Sequence, residues 1–267
     1  MDFRYLLNSH IFQNFYHFIH KILLKLMGYG LGGKIEMNGE EKIIQKLLKE
    51  EISPVVFDVG ANNGEYSKIV LNVNRNSQIH LFEPNPKLSQ ELNKSFGLLK
   101  NITINNIGLG EIEGKYFFYV YPHKNSLSSI YNRRFFNEKA EKITVKIETI
   151  DNYLSKFQIK KVDLLKLDVE GNELNILKGA SISINKRKIT NIQFEFGGCN
   201  IDSRTYFRDF WELLSRDYFI YKITSTGIFR IFNYEESLEI FSTINYLATI
   251  KPQVLDNGFG YNRNPIL

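Results

Sequence analysis

Acidic residues stand where apolar runs of this 267-residue sequence give way to turns, and they are the groups with chemistry to offer. Asp58 closes the run that begins at Pro54 and leads into Val59-Gly60-Ala61-Asn62-Asn63-Gly64. Glu83 closes the run over 78–82. Asp168 closes the run over 162–167 and leads into Val169-Glu170-Gly171, and Glu195 lies in the run over 192–196. In a parallel α/β sheet the carboxyl ends of strands are where ligands bind. A turn such as 58–64 therefore has a reading: Gly60 permits a tight bend and close backbone approach, and Gly64 lets the next helix start against a ligand.

The turn is not the G-x-G-x-x-G of dinucleotide folds. It has an acid two residues before its first glycine and Asn62 where a second glycine would stand. Glu83 follows Gly60 by about twenty residues, the spacing at which a carboxylate accepts two hydrogen bonds from a ribose diol. Asp58 repels phosphate but suits an ammonium or sulfonium group, which favours S-adenosylmethionine over a dinucleotide. Asp168 and Glu170 emerge two residues apart from one strand end, with Glu195 on another. Such crowding is costly unless a cation, a metal or a shared proton relieves it.

The elements that must hold these residues follow from periodicity. Apolar runs at 54–58, 78–83, 102–106, 162–168 and 192–196 read as strands, and helical spacing covers 40–49, 65–72, 86–96, 172–179 and 206–214. Strand–helix alternation of this kind builds an α/β fold, a mostly parallel sheet with helices on both faces. A β-rich interlude at 116–121 and 143–150 surrounds a Ser/Asn-rich loop at 125–129. Asp151 is expected to cap a helix through 157, and Gly179 to close a helix in left-handed geometry. Runs at 218–231 and 246–250 are expected to finish the sheet as an antiparallel, hairpin-like edge. The expected division is a helical segment over 1–39, a main domain over 40–252 and a tail over 253–267.

Composition narrows the classes. With 43% hydrophobic and 24% charged residues the chain can build a core. One cysteine excludes an internal disulfide framework and a multi-cysteine zinc site, and fits a cytoplasmic setting. A net charge of +5 is mild, and Lys and Arg are scattered, so no nucleic-acid partner is expected. Residues 3–27 form an amphipathic helix whose apolar run is broken by Asn, His and Lys, too short of apolar residues to span a bilayer. It suits packing on its own domain, a homodimer contact, or a peripheral seat on the inner membrane face.

The segments Asp58 to Gly64, Leu81-Phe82-Glu83-Pro84-Asn85-Pro86, Lys166 to Gly171 with Glu173, Leu177 to Ala180 and Asn245 to Ala248 occur in order. Together they resemble the FkbM family of methyltransferases over about 40–250, most of the chain. The resemblance implies a Rossmann-like class I methyltransferase sheet, S-adenosyl-L-methionine as cofactor, and O-methylation of a hydroxyl, with a sugar in glycan or polysaccharide biosynthesis as the expected acceptor. It implies that Asp58, Gly60, Asn62 and Gly64 hold the methionyl part, that Glu83 holds the ribose, that Asn106 or Ile107 lies near adenine, and that Asp168 faces the transfer site. Asn106 departs from the Asp common at that place in the wider superfamily.

A sugar hydroxyl is a poor nucleophile, so a base within hydrogen-bond reach is expected. The candidates are Asp168, Glu195, Glu170 and His123, with Asp168 and Glu195 equally placed and His123 beside the 125–129 loop. No metal is required, although Asp168, Glu170 and Glu195 would be the residues to bridge one. The rivals are an RNA or protein methyltransferase on the same fold, a nicotinamide-dependent oxidoreductase, which the missing second glycine opposes, and a non-catalytic binding protein, which the intact acid set opposes.

Overall fold

Strand β1 (Val55–Val59) forms where four apolar residues flank one acid, and it lies in the interior of an eight-stranded sheet. The computed structural model describes residues 10–30, 38–122, 124–133 and 139–250. On one side of β1 lie β2 (Gln78–Phe82) and β3 (Ile102–Asn105), and on the other β7 (Leu164–Leu167) and β8 (Asn191–Phe196), all parallel. The chain runs outward from β1 through β2 to β3, then returns to the opposite side of β1 as β7. The order therefore reverses between β1 and β7, where the carboxyl ends of strands leave a crevice.

Alternation along the strands feeds two cores. Val56, Ile79, Leu81 and Leu164 point to one face, against α2 (Glu40–Leu48), α3 (Glu65–Val73) and α4 (Pro86–Phe96). Phe57, Phe82 and Leu165 point to the other, against α5 (Ile150–Lys156), α6 (Glu173–Lys178) and α9 (Phe207–Leu214). Helix α4 starts where it does because Asn85 accepts from the Lys87 N–H and Pro86 needs no partner for a missing N–H.

Local expectations are corrected at three places. Thr149, not Asp151, caps α5 by accepting from Asn152 N. Asp151 instead accepts from Ile182 N and Ser183 N, holding the start of α7 (Ser181–Asn185). Gly179 is right-handed, with φ −69°. It is required because a Cβ there would stand 2.1 Å from the Gly110 carbonyl oxygen. The antiparallel edge is more than a hairpin: β9 (Phe219–Thr224) and β10 (Gly227–Ile231) pair with each other, and β11 (Ile244–Thr249) inserts antiparallel between β8 and β9.

A second sheet of β4 (Gly108–Leu109), β5 (Gly114–Val120) and β6 (Glu141–Glu148) carries the interlude. Its loop lies over the end of β7, where Ser129 Oγ donates to the Glu170 carbonyl at 2.8 Å. Ahead of the main domain, α1 (His10–Leu26) ends on buried Tyr29, which joins the larger core, and Gly30 N donates to Thr243 O at 2.8 Å. Residues 3–9 of the expected helix and the tail at 253–267 lie outside the described residues.

Candidate active site

A cavity of about 600 Å³ opens at the carboxyl ends of β1, β2, β7 and β8. It is bounded on one side by the interlude loop and on another by the residues leading into β11.

The turn after β1 shapes its floor. Gly60 has φ +82°, and Asn62 is also left-handed at φ +49°, a conformation Asn tolerates better than most side chains. Glu83 locks this turn to the end of β2: one carboxylate oxygen accepts from Asn62 N at 2.9 Å and the other from Asn85 N at 2.8 Å. Each oxygen has a second lone pair free for a ligand hydroxyl. Burial pushes the Glu83 carboxyl up to about 7 against the pull of those two N–H donors. Asp58 lines the cavity from β1 and accepts from Ser67 Oγ at 2.6 Å, and burial raises its pKa as well.

The end of β7 carries the densest charge. Lys166 is 3% exposed, with Nζ 2.9 Å from Asp168 Oδ2 and 3.8 Å from Glu40 Oε1. Burial works against the ammonium, and Asp168 and Glu40 more than offset it, so its pKa rises. Burial alone would raise Asp168, but Lys166 holds it below the usual range. The Asp168 side chain is 46% exposed and faces the open cavity. Burial, followed by the Asp168 and Glu170 carboxylates, pushes Glu195 well above the ordinary range, and Glu195 hydrogen-bonds to Asp168.

The turn beyond Asp168 is built by Glu173. Its carboxylate is fully buried and accepts from Val169 N at 2.9 Å and Gly171 N at 3.0 Å. Between them Glu170 is left-handed, φ +56°, and reaches Arg133 Nη1 at 2.5 Å. Burial and the nearby Asp168 carboxylate push Glu170 up to about 8, with Arg133 opposing.

Of the residues singled out in the sequence, Asp58, Gly60, Asn62, Glu83, Asp168, Glu170 and Glu195 all line this one cavity. Gly64, Asn106 and Ile107 do not. Gly64 starts α3 at φ +78°, and a Cβ there would strike the Phe96 ring at 2.4 Å, so helix packing requires a glycine at this position. Asn106 spends its amide donors on the Glu83 and Pro84 carbonyls, and Ile107 packs against the larger core. His123 lies outside the described residues. Ser126, Leu127 and Ser128 of the interlude loop do reach the cavity.

Four residues escaped sequence reasoning. Lys166 neutralises Asp168, and a lysine inside the apolar run of β7 was the available signal, since a buried charge needs a partner. Glu40 comes from α2, with one oxygen accepting from Asn38 Nδ2 at 2.7 Å and the other from Gln193 Nε2. Tyr66 donates to Gln193 Oε1 at 2.9 Å. Nothing local in the sequence ties Glu40, Tyr66 and Gln193 together.

The donor set for a metal is Asp168, Glu170 and Glu195, each offering an oxygen within 4.8 Å of the others. Two of these already face cations, Asp168 pairing with Lys166 and Glu170 with Arg133. A cationic organic ligand fits better. The cavity is lined by Glu40, Asp58, Glu65, Glu83, Asp168, Glu170 and Glu195, against Lys166 alone among its described basic residues.

Comparison with known proteins places the chain in a family. The family model described as methyltransferase FkbM domain matches residues 58–221. The 2-O-methyltransferase NoeI of Sinorhizobium fredii is 22% identical over 163 residues, 55% of this chain and 65% of that protein. The hexuronic acid methyltransferase AglP of Haloferax volcanii is 26% identical over 170 residues, 61% of this chain and 65% of that protein. The chain thus spans just under two thirds of the length of these relatives. Among solved structures, precorrin-6y C5,15-methyltransferase from Geobacter metallireducens aligns with a TM-score of 0.42 at 12% identity, covering 79% of this chain and 87% of that one.

Proposed function

The chain belongs to the FkbM methyltransferase family, whose methyl donor is S-adenosyl-L-methionine, and we propose that this member methylates a hydroxyl of a sugar. The observation that carries the reading is the acidic lining of the cavity, seven acidic side chains and one lysine among its described residues. Such a site attracts a ligand bearing sulfonium and ammonium groups and repels phosphates. When bound, S-adenosyl-L-methionine supplies a methyl group on a positively charged sulfur. Glu83 would hold the ribose diol through its spare lone pairs, and Gly60 with Asn62 would let the backbone approach the methionyl part.

The chain's own contribution to transfer is alignment and proton acceptance. Lys166 keeps Asp168 ionised and points it into the cavity. Asp168 then accepts the proton of the attacking hydroxyl. Glu195 hydrogen-bonds to Asp168 and is less exposed, so Asp168, open to the cavity, is the better placed base of the two. Glu170 is turned toward Arg133 and positions the interlude loop, whose Ser126 and Ser128 face the acceptor side. The acidic cavity also favours a neutral hydroxyl over a carboxylate at the reacting position. A 2-O-methyltransferase and a hexuronic acid methyltransferase among the relatives support an oxygen nucleophile on a sugar.

The test is transfer of labelled methyl from S-adenosyl-L-methionine to a panel of neutral and uronic-acid oligosaccharides, followed by mild alkali. Label that survives alkali marks an ether and supports the reading. Label released by alkali marks an ester and contradicts the hydroxyl assignment.

A further inference from the structure

Helix α1 turns its apolar face away from the protein. At about 100° per residue, Phe12, Phe15, Tyr16, Phe18, Ile19, Ile22, Leu23 and Leu26 sort onto one arc of roughly 160°, and Gln13, Asn14, His17, His20, Lys21 and Lys25 onto the other. Leu24, the one apolar residue on the polar arc, is the residue of the helix that packs against the core. The apolar arc stays open: Phe15 is 55% exposed, Phe18 60%, Leu23 51% and Leu26 78%. An exposed apolar face of this extent marks an interaction surface.

We propose that α1 is an in-plane anchor that seats this protein on an anionic phospholipid surface. Charge decides the occupant. Every charged side chain of α1 is basic and none is acidic. Lys25 stands at one edge of the apolar arc with Lys21 behind it, and a second copy of this helix offers neither of them an acidic partner, whereas anionic headgroups complement both. The aromatic side chains suit the depth of a headgroup boundary. The helix has 17 residues, about 25 Å, and no described helix is long and apolar enough to cross a membrane. The anchor ends on the cavity: Gly30 and Thr243, joined by a backbone hydrogen bond, both line it. Seating would hold the cavity mouth beside the lipid surface.

Co-sedimentation of the full chain with vesicles tests this, independently of methyl transfer. Vesicles of equal parts phosphatidylcholine and phosphatidylglycerol should retain the protein, and phosphatidylcholine alone should retain far less. Lys21→Ala with Lys25→Ala should weaken retention at least tenfold, and Phe15→Ala with Phe18→Ala and Leu26→Ala should abolish it, with the melting midpoint unchanged in both because these side chains are exposed. Absence of retention by anionic vesicles, equal retention by both compositions, or a solution dimer that the Phe15/Phe18/Leu26 variant dissolves would each overturn the proposal.

Discussion

Gly60 and Asp168 meet across the crevice between β1 and β7: a Cβ on Gly60 would stand 1.9 Å from the Asp168 carbonyl oxygen. The turn that would hold the donor and the strand end that would hold the base therefore share one contact. Gly60 is also at φ +82°, where a side chain is strained. Gly60→Ala should cost about 2–5 kcal/mol from strain and overpacking together. It should also push the 60–62 turn away from the end of β7, so calorimetry with S-adenosylhomocysteine should show binding lost in whatever protein remains folded.

Glu83→Gln keeps the size of the side chain and removes its charge. A hydrogen bond to a charged group contributes about 1.5–3 kcal/mol, so affinity for S-adenosylhomocysteine should fall about 10- to 100-fold. The wild-type carboxyl titrates at about 7. Its ionised form is the better acceptor for a ribose diol, so wild-type affinity should rise between pH 6 and pH 8, and the Gln variant should lose that rise.

Asp168 and Lys166 make distinguishable predictions for turnover. Asp168→Asn should lower kcat about 10²- to 10⁴-fold while leaving affinity for S-adenosylhomocysteine within a few-fold. Lys166→Met removes the cation that holds Asp168 below the usual carboxylate range. The acid limb of the pH–rate profile should then move to higher pH, a shift that simple loss of stability does not produce. Chelation with EDTA should leave wild-type turnover unchanged, because Lys166 and Arg133 already neutralise Asp168 and Glu170.

Stability of the ligand-free protein should fall as pH rises. Burial raises Glu83 and Glu173 to about 7 and Glu170 to about 8, above the values near 4.3 expected when unfolded. The native state therefore binds protons more tightly than the unfolded chain. This contribution is fully present below about pH 4 and is lost as pH rises through 7 to 8. The melting midpoint should be lower at pH 8.5 than at pH 5.5, and a cationic ligand should recover part of the difference.

Much of the site was legible because strand ends announce themselves. Asp58, Glu83, Asp168 and Glu195 each terminate or interrupt an apolar run, and the sheet brings all four to one cavity. What stayed hidden depends on contacts far apart in sequence. Glu40 reaches Lys166 from a helix ahead of β1, and β11 finds its place between β8 and β9 only once the sheet has formed. Asp151 and Gly179 were read from local rules for caps and glycines. Asp151 serves a helix some thirty residues on, and Gly179 a close approach to Gly110. Asn106 sits at a strand end, as expected, but the carbonyls of Glu83 and Pro84 take its donors before a ligand can.

The most direct test is the melting midpoint of the purified protein with S-adenosyl-L-methionine, S-adenosylhomocysteine, NAD and NADP, each near 100 times a micromolar dissociation constant. Binding at that ratio stabilises by about 2.7 kcal/mol, which for a chain of this size is a rise of about 5–10 °C. A cavity that holds the ribose diol through Glu83 and an ammonium group among its acids predicts that rise with S-adenosyl-L-methionine and S-adenosylhomocysteine and none with NAD or NADP. A rise with NAD or NADP and none with either adenosyl ligand would contradict it.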